Sequence, residues 1–183
     1  MKGILAAVCC ISMMTIPAVA QTHHAAREHA GAKAAMTDQQ FVDFAGQTDM
    51  VDANLGQLAQ DVAASQEVKD YGSMLATDHT DDYHHLQDAA KEANLTVPTA
   101  IGEEQNKTTI GPMHKLKGKA FDHRFIEDMI ADHTKALAIY TKEANDAQSP
   151  AIKSYAEAAL PVLHKHLDGA KNIAAGKPAN TQP

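Results

Sequence analysis

Tryptophan is absent from this 183-residue chain, and its two cysteines, Cys9 and Cys10, both fall within the first ten residues. Aromatic residues of all kinds make up 4% of the sequence, so any core must pack closely on small and aliphatic side chains. Past residue 20 no apolar run approaches the roughly 18 residues that would span a bilayer. Basic residues are outnumbered, 16 Lys and Arg against 23 Asp and Glu, which excludes the basic footprint of a nucleic-acid-binding protein. A Ser-His-Asp order and a phosphate-cradling Gly loop are missing too, and no stretch shows the alternation of a half-buried strand.

What is present begins with an address. Lys2 places a positive charge before the apolar residues 3–16, and Ala18-Val19-Ala20 is a small-x-small cleavage site ahead of Gln21. The pattern is that of a secretory signal peptide over residues 1–20, and the expected location is the bacterial periplasm. Cys9 and Cys10 lie inside its apolar stretch and follow no lipobox, so the processed chain is expected to carry no disulfide and no thiolate metal ligand. Residues 21–36, rich in Ala and His, lack a repeating apolar face and read as a flexible arm. Cleavage after Ala20 would expose Gln21-Thr22-His23, whose amine, two amides and imidazole form a square-planar nest for Cu(II) or Ni(II), with His24 and His29 nearby.

Periodicity then predicts one domain over residues 37–176. Thr37-x-x-Gln40 resembles a capping box, and Phe41, Phe44, Thr48, Val51, Leu55, Leu58 and Val62 recur at spacings of three and four, giving a first helix over about 38–63. Ser65 caps a second helix that runs through Val68, Tyr71, Leu75, His79, Asp82 and Leu86 to about Asn94. Residues 95–118 hold Pro98, Gly102, Gly111, Pro112 and Gly118 and read as a long connection, with room for a short helix between Glu103 and Leu116. A third helix over about 119–147 carries Phe121, Phe125, Met129, His133 and Tyr140. A fourth starts at Ser149-Pro150, passes Ile152, Tyr155, Leu163, His166 and Ile173, and stops at Gly176 and Pro178, with a bend expected at Pro161. The architecture predicted is all-α, an antiparallel four-helix bundle with one long connection, followed by a disordered tail over residues 177–183.

The chemistry lies in polar residues on the buried stripes. The phrase Asp-His-Thr occurs twice, at Asp78-His79-Thr80 and Asp132-His133-Thr134, each time near the middle of a helix, and His166 lies at similar depth on the fourth. The first helix offers Asp49 and Asp52 at its own midpoint. A buried polar group without a partner costs a few kcal/mol, so three imidazoles converging at one level call for a shared partner. His with Asp makes a nitrogen and oxygen site of the kind that zinc, iron, nickel and copper accept. The candidate ligands are His79, His133, His166, Asp52 and Asp82, with Asp49, Asp78 and Asp132 as further carboxylates or hydrogen-bond partners. Met74 and Met129 lie about one turn before the two His and read as core filler; as thioether ligands they would favour Cu(I). At most one of His84 and His85 joins the seam, His84 reading as a solvated face, and His114 and His123 could form a minor site beside the start of the third helix.

The phrases Phe41…Leu55-Gly56…Leu58-Ala59, Met74-x-x-x-Asp78-His79, Phe121-Asp122…Met129-x-x-x-His133 and Leu160-Pro161-x-Leu163-x-x-His166-Leu167 resemble the DUF4142 family of exported bacterial proteins, over about residues 38–174. The resemblance implies a ferritin-like four-helix bundle of undefined biochemistry, in which His79, His133 and His166 are the recurring histidines. It also places Asp52 where the family usually carries a Glu. Di-iron ferritins use Glu-x-x-His on two helices, and this sequence contains no such motif, so a ferroxidase centre is not expected. Three functions remain open from the sequence. They are a periplasmic transition-metal-binding protein of metal handling or envelope stress, a metal-dependent redox or hydrolytic enzyme with an open coordination position, and a structural protein whose inner histidines only hydrogen-bond.

Overall fold

The computed structural model describes residues 36–179. The expected signal peptide and most of the expected arm, with His23, His24 and His29, therefore lie outside the described residues, as does the end of the expected tail. Four long helices carry the fold: α1 (Asp38–Val62), α2 (Gln66–Glu92), α5 (Gly118–Asp146) and α6 (Pro150–Ala174). There is no strand among the described residues, and none of their helices is long and apolar enough to cross a membrane. The connection between α2 and α5 holds α3 (Glu103–Gln105), a π-helical turn (Asn106–Ile110) and α4 (Gly111–Met113), close to the expected short helix but interrupted in register.

Local chemistry sets the helix starts. Thr37 accepts from the Gln40 amide while the Gln40 side chain accepts from the Thr37 amide, completing the capping box, and Ser65 Oγ accepts from Val68. Ser149 makes no such side-chain cap. Instead Asp38, on α1, accepts from the amides of Gln148 and Ser149 at 3.0 and 2.7 Å. Asp122, on α5, does the same for Ala64 and Ser65 at 2.9 and 3.0 Å. Each turn between two long helices is thus fastened by a carboxylate from the opposite helical pair. Helix α6 continues through Pro161, which supplies no N–H to the turn before it. Gly176, at φ +69°, ends that last turn in the left-handed region, and Ala179, in the expected tail, is buried.

Neighbouring helices run antiparallel. On α1 and α2, Asp49 meets His79, while Gly56 meets Gly72 so closely that a Cβ on Gly56 would lie 2.5 Å from the Gly72 carbonyl oxygen. Tyr140 and Tyr155 face each other across α5 and α6, and Tyr71 of α2 donates to the His166 carbonyl of α6 at 2.9 Å. The apolar interior falls into two clusters. One gathers Leu55, Tyr71, Leu75, Phe121, Phe125 and Met129; the other gathers Phe41, Leu86, Tyr140, Ile152 and Leu163. Between them, one level deep on all four helices, lie Asp49, Asp52, His79, His133 and His166, all buried.

Candidate metal centre

Each of the three histidines is anchored by one ring nitrogen and turns the other inward. His133 Nδ1 lies 3.0 Å from the Met129 carbonyl one turn earlier on α5. A carbonyl only accepts, so this nitrogen carries the proton, and in the neutral ring Nε2 is left as a lone pair. His166 Nε2 lies 2.9 Å from Asp78 Oδ2, which leaves Nδ1 as the lone pair. His79 Nδ1 lies 3.0 Å from Asp49 Oδ1, leaving Nε2 inward. The inward atoms converge: His79 Nε2 is 3.4 Å from His133 Nε2, and His133 Nε2 is 3.2 Å from His166 Nδ1. A ligand atom from each of the three residues lies within 4.8 Å of the others. Nitrogens bound tetrahedrally to one ion at about 2.0–2.1 Å stand about 3.4 Å apart, close to the two separations that His133 makes. The tethering of the outer nitrogens is the support that metal-ligating imidazoles ordinarily have. Three buried His placed this way could hold a metal ion.

The carboxylates divide. Asp52 Oδ2 is 3.5 Å from His79 Nε2, has no hydrogen-bond partner, and so stands at the edge of the triad. Asp49 grips His79 from behind, and its second oxygen is likewise buried without a partner. Asp78 braces His166 and also faces Lys165. Asp82, expected as a ligand, is turned elsewhere: its Oδ2 accepts from Tyr155 at 2.7 Å, and it is not part of the histidine cluster. Asp132 sits on the exposed side of α5 next to His133 and lines a surface groove. Met74 and Met129 pack in the apolar cluster, and Met129 serves the site through its backbone carbonyl. His84 is exposed and bonds Gln87, and His123 pairs with Glu127 on the surface of α5.

Charge is distributed unevenly across the triad. His79 is raised to about 9: burial works against its imidazolium, but the hydrogen bond it donates to Asp49 and the charges of Asp52, Asp49 and Asp82 outweigh it. Burial pushes the Asp49 carboxyl up to about 7 against the pull of His79, and burial likewise lifts Asp52 to about 6. His133 is held well below the usual range by burial and then by repulsion from His79 and His166. His166 falls to about 4, because burial outweighs its bond to Asp78. Without an ion, the centre therefore holds its proton on His79, and the other two rings are neutral donors.

Sequence reasoning passed over several residues that build the site. The Gly56 and Gly72 crossing brings α1 and α2 close enough for Asp49 to reach His79, and the Tyr155 hydroxyl draws Asp82 away. Gly56 one heptad after Asp49 and Gly72 one heptad before His79 were the signal for the first; nothing in the sequence marks the second.

Comparison with known proteins adds one finding. The family model described as "Domain of unknown function (DUF4142)" matches residues 23–173. No curated protein and no solved structure was found to match the chain.

Proposed function

The chain belongs to the DUF4142 family, and from that premise and its buried triad we propose that it is an exported, periplasmic protein that binds a transition-metal ion. In this reading the helices form a ferritin-like bundle that keeps the ion in a dry layer between two apolar clusters, in the service of metal handling or the envelope stress response. The observation that carries it is the polarity of the three rings: every outer nitrogen has an acceptor, and the inner nitrogens meet at 3.2 and 3.4 Å. His79 Nε2, His133 Nε2 and His166 Nδ1 would hold the ion, and Asp52 would supply oxygen by a small movement of its free Oδ2. Imidazole with carboxylate suits zinc, iron or copper.

Elemental analysis of untagged protein from its native envelope tests this directly. About one transition-metal ion per chain is expected, and replacing His79, His133 and His166 together by Ala should abolish it. Stoichiometric metal persisting in that triple variant would overturn the assignment.

The competing reading is a hydrogen-bonded core, favoured by the proton that His79 holds when no ion is bound. It predicts that a chelator leaves thermal stability unchanged, whereas a bound ion stabilises the folded state through linkage.

A further inference from the structure

A buried carboxylate oxygen without a hydrogen bond is costly, and Asp52 Oδ2 is such an atom, faced only at 3.5 Å by His79 Nε2. Its residue forms the inner end of a groove of about 390 Å³ bounded by α1, α5 and the residues flanking and forming the π-helical turn. Asp43, Gln47, Thr48, Thr109, Asp132 and Lys135 are polar residues of the remaining lining, which the apolar Phe44 and Val51 share. Lys135 carries the one positive charge among the described residues of this lining, with Nζ 5.4 Å from the centre of the Phe44 ring.

A larger groove of about 690 Å³ lies on the opposite face, between α2 and α6, and holds more acid, including Asp81, Asp88 and Glu92. Its inner wall, however, is Asp78 and Asp82. Asp78 faces the outer nitrogen of His166, which already donates, and Asp82 is engaged by Tyr155. A cation arriving there meets the back of the triad. The α1–α5 groove instead ends at Asp52, whose free oxygen stands 3.5 Å from the inward nitrogen of His79.

We propose that the α1–α5 groove is the passage by which a hydrated divalent cation reaches the three histidines, with Asp132 attracting it at the mouth, Asp52 receiving it at the inner end, and Lys135 opposing its approach. This rests on the metal-binding reading above. A cleft lined by carboxylates raises the local concentration of a cation and its rate of association, an effect that salt screens.

Stopped-flow uptake and release of Zn²⁺ by the ion-free protein tests the passage. Thr109→Trp fills the groove from the π-helical turn, an element that carries no ligand, so association and release should both slow roughly tenfold or more while Kd stays within about twofold. Asp132→Lys, at an exposed position whose replacement leaves the core intact, should slow association by about threefold or more at low salt and less at high salt; Lys135→Gln should quicken it. Asp81→Lys and Asp88→Lys, on the opposite groove, should leave the rates unchanged. Unaltered rates in both Thr109→Trp and Asp132→Lys, or slowing by the Asp81 and Asp88 variants, would overturn the passage while leaving metal binding intact. Failure of the unmodified protein to take up Zn²⁺, Fe²⁺ or Cu²⁺ would overturn both together.

Discussion

Asp78 and His166 are joined across α2 and α6 by a 2.9 Å hydrogen bond that fixes which nitrogen of the ring turns inward. With Nε2 committed to the carboxylate, Nδ1 is the atom that faces His133. Asp78→Leu removes that constraint and leaves an N–H without an acceptor. Metal affinity should fall about 10- to 100-fold, while Asp78→Asn, whose amide oxygen still accepts, should restore most of it. Competition titration against a chelator of known affinity measures both.

The Gly56 and Gly72 crossing sets the distance between the helices that carry Asp49 and His79. A Cβ on Gly56 would lie 2.5 Å from the Gly72 carbonyl oxygen and 2.8 Å from the Ala76 nitrogen, both backbone atoms that cannot turn aside. Gly56→Ala should therefore cost about 1–3 kcal/mol, a fall in Tm of roughly 5 °C or more, and weaken metal binding through the lost Asp49 contact. Thermal melts with and without metal separate the two effects.

Binding an ion must displace the proton that His79 holds. His79 titrates at about 9, so near pH 7.5 close to one proton per ion should be released, and apparent affinity should rise about tenfold per pH unit until it levels near pH 9. Calorimetry in buffers of different ionisation enthalpy counts that proton directly. A centre with three neutral rings would release none.

The same group gives the ion-free protein an alkaline weakness. An unfolded His titrates at 6.5 and the folded His79 at about 9, so its stabilisation is complete below pH 6.5 and is lost as pH rises through 9. Asp49 begins a decline at lower pH. Its folded carboxyl, raised to about 7, keeps a proton that the unfolded chain has released above 3.8, so its contribution disappears as pH rises through 7. Denaturant midpoints of ion-free protein should fall between pH 6.5 and 9, and His79→Gln should flatten that decline.

The four long helices and the depth of the polar layer were legible because helical periodicity puts Phe41, Leu55, Leu75, Phe125 and Leu163 on the same stripes as Asp52, His79, His133 and His166. A polar residue on such a stripe is conspicuous. Which carboxylate serves which ring was not legible, since a 100° step along a helix fixes the face a side chain occupies but not the partner it meets across the interface. Asp49 takes His79, Asp78 takes His166, and Asp82 takes Tyr155, all contacts between helices. The repeated Asp-His-Thr phrase points to twin roles, yet Asp78 is bonded to a ring and Asp132 lines a groove. His133 is instead anchored by a backbone carbonyl, a group every residue has and no sequence can flag. The π-helical register of residues 106–110 was hidden for a similar reason, because a local composition suited to a short helix does not specify its winding.

The carboxylates of Asp38 and Asp122 each secure the turn of a hairpin to which they do not belong. Neither hairpin can finish its own bend in isolation: α1–α2 waits for α5, and α5–α6 waits for α1. Folding and melting should accordingly be all-or-none events that involve both halves at once, and a half expressed alone would lack the clasp that the other provides.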